Sequence, residues 1–238
     1  MDADTAAVTT EPDDLWQTLS LLFKPHPWHG VELGPEAPDV VTAFVEIVPS
    51  DSVKYEIDKP SGHLKIDRPQ LFSNVCPTLY GFLPRTYCGE RVAALSQEKT
   101  GRPTVRGDGD PLDVCVLSEK VFSHGDFLLQ AVPVGGLRLI DRDEADDKII
   151  AVLKGDAAYG HIREVADLPA ALVARLQHYF LTYKRPPGTR DADVVQITHV
   201  YDRAEAREVI ERSREDYLAL YPRLRERALA ALRRRMAQ

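Results

Sequence analysis

Asp108-Gly-Asp-Pro-Leu-Asp113 runs straight into Val114-Cys-Val-Leu117. Three carboxylates this close together are hard oxygen ligands within reach of one another. The element that follows them separates the possible architectures. A helix–loop–helix calcium site counted from Asp108 would take Asp110 and Glu119 as ligands. It would also put Asp113 where the sharp turn requires glycine, and Leu112 where a ligand is needed. The residues after the acids are those of a buried strand, not a helix. The calcium loop is therefore excluded. A solvated acidic turn and a cation cluster at the lip of a sheet both stay open.

Outward from that strand lie more strands. Ala43-Phe-Val-Glu-Ile-Val48 is β-branched and aromatic and stops at Pro49. Lys54-Tyr-Glu-Ile57 and His63-Leu-Lys-Ile66 flank Lys59-Pro-Ser-Gly62, which has the turn chemistry of a hairpin. Phe127–Val134, Leu137–Ile140, Lys148–Val152 and Val194–Val200 read the same way. Short strands without βαβ alternation predict an antiparallel barrel. Two helices are expected against it. The first has Asp167 as N-cap and Pro169 in its first turn, and Pro186-Pro-Gly188 ends it. Its inward face carries Leu168, Leu172, Leu176, Tyr179, Phe180 and Tyr183. The second starts at Asp202, with Glu205 three residues on as a capping box. It runs to Tyr221 and turns Val209, Ile210, Tyr217 and Tyr221 inward. The class is α+β, mainly β.

One domain is expected over residues 26–221, behind a flexible acidic tail (1–25) and ahead of an Arg-rich helical tail (222–238). That last segment carries Arg223, Arg225, Arg227, Arg233, Arg234 and Arg235 and reads as a solvated helical end. The chain has 238 residues, 44% hydrophobic and 28% charged, the balance of a globular protein with a sizeable core. Its formal charge of -7 argues against nucleic acid and anionic membrane as partners. No apolar run approaches the roughly eighteen residues of a membrane span. The acidic start is the opposite of a signal peptide. Cys76, Cys88 and Cys115 form neither a disulfide framework nor a CxxC metal pattern, so a reduced, cytoplasmic setting is expected. The seven histidines have no metal-ligand spacing and are read as structural.

A cation cluster for phosphoryl chemistry predicts a second acidic site and cationic or phenolic groups around it. Asp141 and Asp146 supply the first; Lys54, Arg68, Lys148, Tyr183 and Lys184, near strand and helix ends, supply the second. Such chemistry requires no nucleophilic Ser or Cys, and no phosphate-cradling Gly-rich loop is read in the sequence.

These residues carry a resemblance. Asp108-Gly-Asp-Pro-Leu-Asp-Val114 resembles the D-G-D-P-x-D-V signature of the soluble (family I) inorganic pyrophosphatases. Lys54-Tyr-Glu-Ile-Asp58 is similar to the family's K-Y-E-I-D strand, with Gly62 and Asp67-Arg68 at family-like spacing and Glu46 upstream. Val134-Gly-Gly-Leu-Arg-Leu-Ile-Asp141 through Asp146-Asp-Lys148 resembles a third segment without a gap, and Tyr183-Lys184 resembles a late Y-K pair. The likeness spans roughly residues 28 to 184.

The resemblance implies an OB-like five-stranded closed barrel with flanking helices. It also implies Mg²⁺-dependent hydrolysis of pyrophosphate to two phosphates, with several ions per site and Mn²⁺ as an alternative. Asp108, Asp113 and Asp146 would hold the first ion, with Asp113 bridging to a second. Asp141 and Asp146 would take the ion that arrives with substrate, and Glu46 and Glu56 would act through water. Asp110 and Tyr80 are the implied catalytic pair, Asp110 accepting the proton of the attacking water. Lys54, Arg68, Tyr80, Lys148, Tyr183 and Lys184 would grip the two phosphates. A homo-oligomer is implied, dimer and hexamer both being known in the family.

Two departures stand out. Cys76-Pro-Thr-Leu-Tyr-Gly81 has cysteine where the family commonly has its first tyrosine, and a thiol gives no phenolic hydrogen bond. Residues 82–107 are also longer than in compact bacterial members. A catalytically impaired relative and an OB-like nucleic-acid-binding module are the alternatives. The acids all stand at their places, and the strands lack interleaved basic and aromatic residues.

Overall fold

The computed structural model describes residues 24–184 and 195–223, together with 226, 230 and 234. Most of the expected tails, the helix stop at Pro186–Gly188 and the strand start at Val194 therefore lie outside the described residues.

The sheet is built from β1 (Val41–Ile47), β4 (Leu79–Phe82), β6 (Asp113–Leu117), β7 (Phe127–Asp141) and β9 (Lys148–Leu153). Neighbours pair in the order β1-β4-β6-β9-β7, and β7 pairs back onto β1, so the five strands close into a ring. Closure removes the free edges that an open sheet would expose. The two-stranded β2 (Val53–Ile57) and β3 (Leu64–Pro69) form the expected hairpin as a separate sheet. Short β5 (Arg106–Gly107) and β8 (Glu144–Ala145) pair with each other, and β10 (Gln196–Tyr201) adds to β7.

The ring departs from the antiparallel expectation in one place: β6 and β9 are parallel. The connection between them contains β7, whose fifteen residues were expected as two strands. Pairing with β9 shifts register between Pro133 and Gly135, so the strand carries on through a bulge instead of stopping. Gly81 permits the closure of β4 on β1, since a Cβ there would lie 1.9 Å from the Phe44 carbonyl oxygen.

Apart from the start of β7, where Leu128 and Gln130 face solvent, strands of the ring are buried on both faces, which is why their sequences run apolar without alternating. Val114 and Val116 of β6 join Ile149 and Ala151 of β9 in one cluster. Cys115, Leu117, Ile150 and Val152 belong to another. Helix α1 (Glu90–Thr100) and α3 (Arg203–Leu220) supply Val92, Leu95, Val209 and Ile210 to the first. Helix α2 (Ala170–Thr182) supplies Leu176, Tyr179 and Phe180 to the second. The fully buried side chains of this size are each worth about 1.5–3 kcal/mol relative to exposure.

Asp167 does not cap α2. It ends a short 3-10 turn, Val165–Asp167, and Pro169 occupies the N-cap position. Proline there fixes the backbone angle and has no N–H to leave unpaired. Asp202 does cap α3, accepting from the Glu205 N–H at 2.9 Å. The Glu205 carboxylate instead reaches the buried Arg138 at 2.8 Å, an ion-pair partner stronger than a reciprocal cap.

Candidate active site

The parallel register of β6 and β9 sets Asp113 beside Lys148, each at the first residue of its strand. The Lys148 ammonium, almost wholly buried, pairs with both Asp113 and Asp146. From β4, the Tyr80 hydroxyl donates to Asp113 Oδ2 at 2.6 Å. The Phe180 ring of α2 lies against the Lys148 ammonium at 5.8 Å. Tyr183 follows directly from α2 and is buried, and Lys184 after it reaches Asp141 at 2.7 Å and Asp146 at 4.0 Å.

The hairpin closes the other side. Glu46, in β1, is a buried acid whose Oε1 accepts the Ile57 N–H at 2.7 Å, tying the ring to β2. Lys54 and Glu56 alternate onto one face of β2, as a period of two requires, and their charged ends meet at 2.9 Å. Lys54 also pairs with Asp67 of β3 at 2.9 Å. Lys59, in the turn after β2, pairs with Asp110. Asp108 closes its own loop, accepting the Asp110 N–H at 2.9 Å.

Most of these groups line one cleft of about 120 Å³. It brings together Glu46, Lys54, Glu56, Tyr80, Asp108, Asp110, Asp113, Asp146, Lys148, Tyr183 and Lys184 from distant stretches of sequence. Arg68 and Asp141 do not line it. Asp141 is joined to it through Lys184, and Arg68 stacks 5.6 Å from the Tyr183 ring centroid. Arg68 Nη2 is a buried donor without a partner among the described residues, an atom an anionic ligand could satisfy. Sequence reasoning missed Lys59. It sits in a turn, outside the strand alternation, and nothing in the sequence says that the turn folds over Asp110. A larger hollow of about 640 Å³ lies between α1 and α3, but its arginines are already paired, Arg91 with Asp216 and Arg106 with Glu144.

Charge crowding dominates the electrostatics. Burial, reinforced by Asp113, pushes the Glu46 carboxyl up to about 8. Burial and the Asp146 charge push Asp108 well above the usual carboxylate range. Burial also raises Asp146, with Lys148 pulling the other way. Lys148 loses hydration, yet Asp113 and Asp146 hold its ammonium well above the ordinary lysine value. Burial and Asp113 together keep the Tyr80 phenol protonated far above its usual range. Such a site has more buried carboxylate than its cations balance. Among the described residues, lysine ammonium groups stand between the carboxylates, and no trio of acids forms a closed cage. The donor set, all hard oxygens, suits a divalent ion such as Mg²⁺ or Mn²⁺.

Cys76 lies fully buried in the cluster that holds Tyr80, Cys115 and Tyr179, and burial pushes its thiol up to about 11. It is a packing residue beneath the cleft, not part of its lining.

Residues 43–218 match the family profile described as inorganic pyrophosphatase. An inorganic pyrophosphatase of Chlamydia trachomatis is 48% identical over 199 residues, covering 82% of this chain and 95% of the relative. Soluble inorganic pyrophosphatase 4 of Arabidopsis thaliana is 38% identical over 179 residues, 74% of either chain. Among solved structures, the inorganic pyrophosphatase of Thermus thermophilus superposes with a TM-score of 0.65 at 30% identity. That match covers 79% of this chain and 96% of the other.

Proposed function

The chain belongs to the inorganic pyrophosphatase family and hydrolyses inorganic pyrophosphate, and from that premise we propose which residues do the work and with which ion. Enzymes of this family are metal-dependent; Mg²⁺ is the proposed ion and Mn²⁺ the alternative. Asp108, Asp113 and Asp146 would hold the first, with Asp113 shared by a second. Asp141 with Asp146 would hold the ion that comes with substrate, and Glu46 and Glu56 would act through water. Held there, divalent ions would supply charge neutralisation for the phosphates and a lowered pKa for the attacking water.

Asp110 is not one of these ligands and takes the proton of the attacking water, a role that its half-exposed position at the cleft supports. Lys54, Arg68, Lys148, Tyr183 and Lys184 bind and orient the two phosphates. Two unit charges about 4 Å apart interact by about 4 kcal/mol at an effective dielectric near 20, so each cation matters against a multiply charged substrate. Tyr80, with its hydroxyl on Asp113, orients that carboxylate and faces the substrate. The observation that supports this reading is the convergence of these acids and lysines in one small cleft.

Phosphate release from pyrophosphate, with and without Mg²⁺, is the test. Asp110→Asn should lower kcat by about 10²–10⁴-fold, the range for loss of a general base. Asp113→Ala should be at least as impaired. Full activity in Asp113→Ala would overturn the assignment.

We also propose a single domain over 26–221, a cytoplasmic homo-oligomer and no nucleic-acid partner. The formal charge of -7 supports the last, and three buried free thiols support a reducing compartment. No helix among the described residues is long and apolar enough to cross a membrane.

A further inference from the structure

We propose that Lys59 is a further substrate-contacting cation, which pairs with Asp110 and moves to a phosphate oxygen when pyrophosphate binds. His26 is the residue that positions it. The proposal rests on the pyrophosphatase reading above.

Lys59 lines the cleft with a half-exposed side chain, and its ammonium pairs with Asp110, the proposed proton acceptor. Exposed pairs of this kind are weak and exchange readily. A substrate with several negative charges competes well for such a lysine. Its departure leaves the Asp110 carboxylate free to meet water.

The backbone that carries Lys59 is held firmly. The turn is closed by Gly62 N–H to the Asp58 carbonyl at 2.8 Å and by the Asp58 side chain accepting from Ser61. Gly62 has φ +74, and a Cβ there would come within 2.9 Å of the His26 ring, so the turn is pressed against the lead-in His26-Pro27-Trp28. His26 Nδ1 accepts the N–H groups of Trp28 and His29 at 3.2 and 3.4 Å. That assigns the proton of the neutral ring to Nε2, which donates to the Lys59 carbonyl at 2.9 Å.

The same lead-in is anchored to the acid loop. Buried Trp28 donates its indole N–H to the Thr86 carbonyl at 2.8 Å, and the Thr86 hydroxyl accepts the Leu112 N–H at 2.9 Å. Residues 26–28 thus form a strut from the turn of Lys59 to the loop of Asp110. It sets the separation between the two side chains.

The experiment compares wild type with Lys59→Gln, Lys59→Arg, His26→Ala and the double variant Lys59→Gln/His26→Ala. Steady-state kinetics and calorimetric binding of methylenediphosphonate in Mg²⁺ are measured for each. Lys59→Gln should raise KM and weaken the analogue by about tenfold, with kcat within about threefold, the pattern of lost ground-state binding. Lys59→Arg should recover most of it. His26→Ala should move KM the same way by less, and the double variant should match Lys59→Gln alone, since His26 acts through Lys59. Unchanged analogue affinity in Lys59→Gln overturns the contact, and a fully additive double variant overturns the role of His26. Silence of the wild type in phosphate release would instead overturn the hydrolase reading.

Discussion

Cys76 shows how one residue reads differently in sequence and in space. By position it stands where the family resemblance implies a tyrosine. In the fold it is wholly buried, packed with Cys115 and Tyr179. Restoring a tyrosine there would force a ring into filled space. Cys76→Tyr is expected to lower stability by about 1–3 kcal/mol, the usual cost of overpacking, and to give no gain in turnover. Thermal denaturation and kcat measured side by side check this; an unchanged melting temperature would show room that the packing does not reveal. At this scale the acids were legible because cation chemistry demands oxygen donors at close spacing. Asp108, Asp110, Asp113 and Asp146 all reach the cleft. Lys59 was not legible, because its role depends on which loop a turn lands against.

Helix α1 belongs to the insertion to which the sequence assigned no element. Its N-cap is Gly89, which offers no side chain to the free N–H groups at that end. Asp216, more than a hundred residues later on α3, supplies the cap. Its carboxylate accepts the N–H groups of Gly89 and Arg91, both at 3.0 Å, and of Val92 at 3.2 Å. It also pairs with the Arg91 guanidinium at 3.0 Å. Asp216→Ala leaves those donors unsatisfied and should cost about 1–3 kcal/mol. Urea unfolding measures the loss; a change below about 0.5 kcal/mol would mean that solvent replaces the cap. The same dependence explains why α1 was hard to foresee: its capping signal is not adjacent in sequence. By contrast α3, with Asp202 next to its own first turn, was legible at its start.

Across the whole molecule, the lead-in, α3 and the loop before α1 meet at His29. The ring lies between Trp28 and Tyr217, with Nδ1 2.8 Å from the Tyr217 hydroxyl. Tyr221 packs edge-on, His26 and Arg85 are the charged or titratable neighbours, and Arg85 is itself paired with Glu32. Burial, with His26 and Arg85 adding repulsion, lowers the pKa of His29 from 6.5 to about 4. Between those values the unfolded chain binds the extra proton, so stability rises with pH there. The contribution is complete above about pH 6.5 and is lost as the pH falls towards 4. Urea midpoints at pH 7 and pH 5 should therefore differ more in wild type than in His29→Gln; equal differences would remove His29 from the account. The sequence by itself determined the strand-rich class, the hairpin, the acids and the family, because spacing and residue chemistry are local properties. The tertiary structure alone decided that β6 and β9 run parallel, which sets Lys148 beside Asp113. It also decided that an N-terminal strut holds Lys59 over Asp110, since long-range register and packing have no signature in adjacent residues.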